Sequence, residues 1–207
     1  IADGLDIFQD VLAYVVLLIA LLLFHAAFTY SIFLKFIGGL NPLTFFKKMK
    51  DVALFAFSTS SSAATIPVTL KTVNQDLGVN QNVASFVVPV GATINMDGTA
   101  IMQGLATVFI AQMSGIDLTL FQYIQVVLLA VATSIGTAAV PSAGTITLII
   151  ILQQFNLPLE AIGIILAVDR VLDMLRTSVN VTGDAAIACI VAKTENQLDE
   201  NIFNSKA

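Results

Sequence analysis

From Leu118 to Leu159 the chain runs for 42 residues without one Asp, Glu, Lys or Arg. That is about twice the ~20 apolar residues a membrane-crossing helix needs. The run is split centrally by Ser134-Ile135-Gly136-Thr137 and Pro141-Ser142-Ala143-Gly144, so each half is short for a full span. A re-entrant hairpin over 120–157, entering and leaving by one face, fits better than two tight spans.

The rest of the chain agrees with a bilayer. It has 207 residues, 57% hydrophobic and 11% charged, against ~25% charged in ordinary soluble domains. Its net charge of −5 offers no basic stripe for a nucleic acid. The single cysteine, Cys189, sits in an apolar run and reads as a small buried hydrophobe. The start at Ile1, without methionine or a basic leader, reads as the middle of a longer chain.

Five further segments follow. Residues 11–38 form a transmembrane helix, uncharged for the 24 residues Val11–Leu34, with His25 expected as a packed side chain whose ring is satisfied. Residues 42–71 form a first re-entrant hairpin, with Ser58-Thr59-Ser60-Ser61-Ser62 at its centre and Pro67 beyond. Residues 82–114 form a transmembrane helix broken near Pro89, Gly91 and Gly98. Residues 160–193 form an amphipathic transmembrane helix, and 194–207 an exposed tail. With Lys35, Lys47, Lys48 and Lys50 inside, Lys71, Lys193 and Lys206 also fall inside, while the outer loops carry Asp117 and Glu160. That puts the C-terminus on the cytoplasmic face of a cell membrane.

A repeat is visible. Thr59–Pro67 resembles Thr133–Pro141, and Asn95-Met96-Asp97-Gly98-Thr99 is echoed by Asn180-Val181-Thr182-Gly183-Asp184. A hairpin followed by a polar helix thus occurs twice, in opposite orientation. Such inverted repeats place a binding site near the membrane midplane between the copies. The expected fold is an all-α membrane protein: an inverted-repeat transport domain with two re-entrant helical hairpins and broken transmembrane helices.

A charge at the centre of a membrane helix costs at least ~2.5–3.5 kcal/mol, so intramembrane charges face a protein interior or cavity. Asp169, Asp173, Arg176, Thr177, Asn180 and Asp184 fall on one face at 100° per residue, with Arg170 just outside it. Structural ion pairing would account for Asp173 and Arg176, three apart, but not for the others. Arg176 can take a side-chain carboxylate in bidentate fashion, and Asp173 can accept from an ammonium. The hairpin tips can bind the remaining carboxylate. Asp97 and Asp184, beside glycines and near freed carbonyls, suit a hard cation such as Na⁺.

With these motifs in order, the chain resembles the dicarboxylate/amino acid:cation symporters, the family of glutamate and aspartate transporters. The resemblance covers essentially the whole chain. It implies secondary active symport of L-aspartate or L-glutamate, coupled to Na⁺ by an elevator motion against a trimeric scaffold whose helices are absent here. It implies substrate contacts from Ser61, Ser62, Thr99, Val140, Asp173, Arg176, Thr177 and Asn180. It implies one sodium site from Gly91, Asn95, Asn180 and Asp184, and a second from Thr93, Ser134, Ile135 and Thr137. A third would take Asn95 and Asp97, completed by a helix absent here. Asp173 looks like the amino-group partner that dicarboxylate carriers tend to lack. Arg176 looks like the determinant of acidic substrates. Gln103 stands where potassium-coupled animal members carry Glu. Ser60 and Met174 occupy positions of which one or the other is arginine in relatives, and Ala139 and Ser142 stand where some have glycine. A proton-coupled glutamate/aspartate or C4-dicarboxylate carrier of the same family is the alternative. An intramembrane aspartyl protease would need a Gly-x-Gly-Asp signature, where this chain has Val181-Thr182-Gly183-Asp184.

Overall fold

The computed structural model describes residues 2–205, with side chains from Ile7. Lys206, used above to orient the chain, lies outside the described residues. Every named element is helical, and the β-type pairing found among the described residues is a single bridge between Val79 and Leu198.

The first helix is α1 (Ala2–Phe24), continued by a π segment (His25–Thr29), a short α2 (Tyr30–Ile32) and a second π segment (Phe33–Ile37). The stretch Ile7–Ile37 is apolar and long enough to cross a membrane. Most of its surface is exposed, including Phe8, Leu12, Val16, Phe24 and Phe28.

Two helix pairs come next in design, separated by a broken helix. In the first pair, Asn41 caps α3 (Pro42–Thr59) by accepting from the Leu43 N–H at 2.9 Å, with proline at the first helical position. Phe45, Met49, Val52 and Ala56 recur at three- and four-residue intervals and are fully buried, mostly against α9. Ser60, at φ 53°, ends the helix in the left-handed conformation, and Ser61 caps α4 (Ser62–Gln75) by accepting from the Ala64 N–H. The chain therefore reverses within two serines.

Next, α5 (Gln81–Ile94) ends and α6 (Asp97–Met113) starts after a two-residue break at Asn95 and Met96. The non-helical torsions of Asn95 and Met96 break the bonding ladder. The second pair is α7 (Leu120–Ile135), opened by a capping box of Thr119 and Gln122, and α8 (Ala143–Gln154). These are 16 and 12 residues, about 24 and 18 Å long, each short of a ~30 Å hydrocarbon core. An irregular stretch from Gly136 to Ser142 joins them.

A short 3₁₀ turn (Leu159–Ala161) leads to α9 (Ile162–Thr194), 33 residues without a break. Its middle, from Asp169 to Asp184, buries the polar stripe. Its second half is lined by Gly183, Ala185, Ala186, Ala188, Cys189 and Ala192, all buried. Small residues let helix backbones approach closely, which matters where lipid removes the usual hydrophobic drive between helices. The final α10 (Glu200–Asn204) is largely exposed, but Phe203 is fully buried. Lys48 on α3 ties this end down, donating to the carbonyls of Asp76 (2.8 Å) and Ile202 (2.7 Å).

Candidate functional site

The polar stripe of α9 faces inward throughout: Asp169, Asp173, Arg176, Thr177, Asn180 and Asp184 are all buried, whereas Arg170 is exposed. The period puts these side chains on one face, but from Arg176 to Ala186 the helix is buried all round, so their burial there comes from packing on every side.

Arg176 is 2% exposed, the largest of the fully buried side chains. Its Nη2 donates to Asp173 Oδ1 at 2.5 Å and its Nη1 to Asp169 Oδ1 at 3.4 Å. The start of α8, the second helix of the second pair (hairpin 2), supplies two more donors. The Ser142 N–H reaches Asp173 Oδ2 at 2.9 Å, and Thr145 Oγ1 reaches Asp169 Oδ1 at 2.7 Å. One guanidinium thus lies between two carboxylates, and both carboxylates are latched to α8.

The two hairpin tips meet in front of this cluster. Ser61 Oγ donates to the Ala139 carbonyl at 2.9 Å, and the Ala63 N–H reaches the same oxygen at 3.3 Å. A small cavity lies behind them. Ser62, Thr99, Val140, Asp173, Arg176, Thr177 and Asn180 line it, which gathers every substrate-contact candidate except Ser61. Ser61 sits at the tip junction instead. Ser60, Met96, Thr137 and Gly144 also line the cavity. The space left among these groups is that of about one water molecule.

The cation candidates separate into groups. Asn95 Nδ2 donates to Asp184 Oδ1 at 2.9 Å. Gly91 packs so close that an added Cβ would come 2.6 Å from the same oxygen, and a Cβ on Gly183 would come 2.8 Å from Asn95 Nδ2. Both positions require glycine for this approach. Asn180 lies one turn away and receives the Gly98 N–H at 2.8 Å through its Oδ1. Gly91, Asn95, Asn180 and Asp184 therefore share one neighbourhood, at the break between α5 and α6. That neighbourhood combines an acidic oxygen with backbone freed from a helix, the donor chemistry a hard cation takes.

Thr93, Ser134, Ile135 and Thr137 are not gathered in this way. Thr93 is exposed and gives its hydroxyl to Pro89 O, and Ile135 is 48% exposed. Ser134 and Thr137 are buried and donate back into α7, to Val131 O and Thr133 O.

Asp97 has partners that the motif gave no hint of. Tyr30 donates to its Oδ2 at 3.1 Å, and His25 Nε2 lies 3.0 Å from the same atom. His25 does find the satisfied ring expected of it, but at a site candidate. A π turn, bonded i to i+5, brings residues five apart closer to one face than an α turn does, which is how both rings reach Asp97. A histidine and a tyrosine five apart in an otherwise apolar helix were the available signal. Gln103 was singled out only by resemblance. It donates to Gly144 O (3.0 Å) and Thr147 Oγ1 (2.7 Å) and accepts from Thr133 (2.8 Å), so it joins both arms of the second hairpin.

A buried ion cluster thus lies under two helix tips, beside a broken helix. The chain belongs to the sodium:dicarboxylate symporter family, which it matches over residues 1–194. It is 40% identical over 191 residues to an excitatory amino acid transporter of Caenorhabditis elegans, covering 92% of this chain and 38% of that protein. It is 43% identical over 178 residues to human excitatory amino acid transporter 2 (86% and 31%) and 42% over 179 to human excitatory amino acid transporter 5 (86% and 32%). The chain thus spans about a third of the length of these relatives. These relatives are transporters, which removes the protease reading.

Proposed function

We propose that this chain is the substrate-carrying part of a symporter that moves L-aspartate or L-glutamate with Na⁺ across a cell membrane. The observation that carries the reading is Arg176, buried at the cavity wall between Asp169 and Asp173. A substrate with a side-chain carboxylate takes the guanidinium in bidentate fashion, and its ammonium takes Asp173. Val140, Ser62 and Thr99 close around it, and the tips at Ser61 and Ala139 part to admit it.

Charge balance supports cation coupling. Asp169 and Asp173 share one guanidinium, and Asp97 and Asp184 stand nearby on His25, Tyr30 and Asn95, so carboxylates outnumber cationic side chains before an acidic substrate adds to them. Binding an anion there needs compensating cations. Asp184 with Gly91, Asn95 and Asn180 supplies one Na⁺ position; Thr93 with Ser134, Ile135 and Thr137 supplies a second once the tip of α7 rearranges; Asp97 with Asn95 supplies a third. The brevity of α7 and α8 favours a re-entrant hairpin, and the first pair is its inverted counterpart. The substrate domain then moves as an elevator within a homotrimer, with the C-terminus cytoplasmic.

The test is L-aspartate binding to the full-length protein by calorimetry, over a sodium series with choline as replacement. Affinity should rise steeply with sodium, and Arg176→Ala should lower it by about 100-fold or more, as expected for losing a charged hydrogen-bonded pair. Binding that ignores sodium and follows pH would assign the coupling to protons. Unchanged aspartate affinity in Arg176→Ala would remove the substrate assignment.

A further inference from the structure

We propose that Thr145 is a positioning residue that sets how tightly Arg176 is held before substrate takes it, and so tunes selectivity for acidic side chains. The inference rests on the substrate reading above and goes one residue beyond it. Thr145 is fully buried on α8, and its hydroxyl donates to Asp169 Oδ1 at 2.7 Å. Arg176 Nη1 addresses the same oxygen from 3.4 Å, beyond a good hydrogen bond. Asp169 Oδ2 is buried with no hydrogen-bond partner among the described residues. The carboxylate is therefore satisfied mainly through one oxygen, and Thr145 holds it.

This arrangement sets up a competition. A buried carboxylate that loses its donor claims the nearest alternative, because an unsatisfied charged group costs more than an ordinary hydrogen bond contributes. The nearest alternative at Oδ1 is the guanidinium. With the hydroxyl present, Asp169 stabilises Arg176 at a distance and leaves Nη1 available to the cavity, while Nη2 stays on Asp173. Without it, Asp169 draws Arg176 into a tight pair on α9 and away from a substrate carboxylate. Ser142, three residues earlier, holds Asp173 through its backbone N–H, on the carboxylate oxygen that Arg176 does not use.

The experiment is uptake by the full-length protein in proteoliposomes. KM is measured for L-aspartate, and the inhibition constant for L-asparagine, which has no side-chain carboxylate. Thr145→Val, which keeps the shape and removes the hydroxyl, should raise the L-aspartate KM about tenfold and leave the L-asparagine constant within about twofold. Thr145→Ser should restore the wild-type ratio. In an Asp169→Asn background Thr145→Val should have no further effect on the ratio, since the competing charge is gone. A parallel loss for both ligands, no rise for L-aspartate, or failure of serine to rescue would overturn the proposal. If the valine variant does not fold, Thr145→Ala compared with Thr145→Ser decides by the same ratio. Arg176→Ala is measured alongside. If it loses L-aspartate while Thr145→Val leaves the ratio unchanged, only the role of Thr145 falls; if it too leaves L-aspartate unchanged, the substrate reading falls first.

Discussion

The two helical hairpins carry similar sequences at their tips and are held shut in different ways. Hairpin 1 turns within Ser60 and Ser61, and its own side chain caps the returning helix. Hairpin 2 wanders from Gly136 to Ser142, and α8 starts with no side-chain cap. Both tips contain a serine in the left-handed region, Ser60 at φ 53° and Ser142 at φ 59°. What closes the second tip comes from elsewhere: Asp173 and Asp169 on α9, and Gln103 on α6. A turn built from local bonds keeps its shape whatever the site does. A turn held by the site's own charged groups opens when those groups are engaged otherwise. The comparison assigns the responsive role to hairpin 2.

The sharpest way to break that contrast is Asp173→Ala. It removes the acceptor of the Ser142 N–H and strips Arg176 of its closest partner, a loss worth about 3–5 kcal/mol for a buried pair. A cysteine at Ala143 should then be alkylated at least about tenfold faster, equivalent to ~1.4 kcal/mol of lost closure, with a cysteine at Ser62 little changed. Equal acceleration at both sites would mean that the tips open as one unit. Gln103→Leu comes next. Cutting its bonds to Gly144, Thr147 and Thr133 should destabilise hairpin 2 by about 1–3 kcal/mol, read as faster alkylation at position 143 and a lower melting temperature. Ser61→Ala has the smallest expected effect, about 1 kcal/mol from a lost cap, seen in thermal unfolding. Because Ser61 Oγ also reaches Ala139, a loss well above that figure would show that the tip junction contributes to closure of hairpin 1.

Much of this was legible from the chain. Its helical character follows from long uncharged runs, and the interruptions fall where Ser, Gly and Pro cluster. The common face of Asp169, Asp173, Arg176, Thr177, Asn180 and Asp184 follows from helical period, and its inward direction from the cost of a charge facing lipid. Other features were not. Thr93, a ligand candidate only through the family resemblance, is exposed, because α5 is rotated to bring Gly91 against Asp184. His25 and Tyr30 meet Asp97 through a widened turn, and their five-residue spacing announces neither that turn nor the carboxylate they reach. Thr145 reads as one more hydroxyl in an apolar helix, and Phe203 as a lone aromatic in a polar tail.

The sequence by itself determined what is local. Residue spacing gives the phase of a polar stripe, an uncharged length bounds how far a helix can reach, and Asn41, Ser61 and Thr119 start the helices that follow them. Only the tertiary structure decided which polar atom answers which. Asp169 Oδ1 is contested between a threonine 24 residues before it and an arginine seven after it. The outcome depends on fractions of an ångström in how α8 lies on α9. A hydrogen bond weakens steeply with distance and angle, so pairing of this kind is settled by the relative placement of elements, which no single helix encodes.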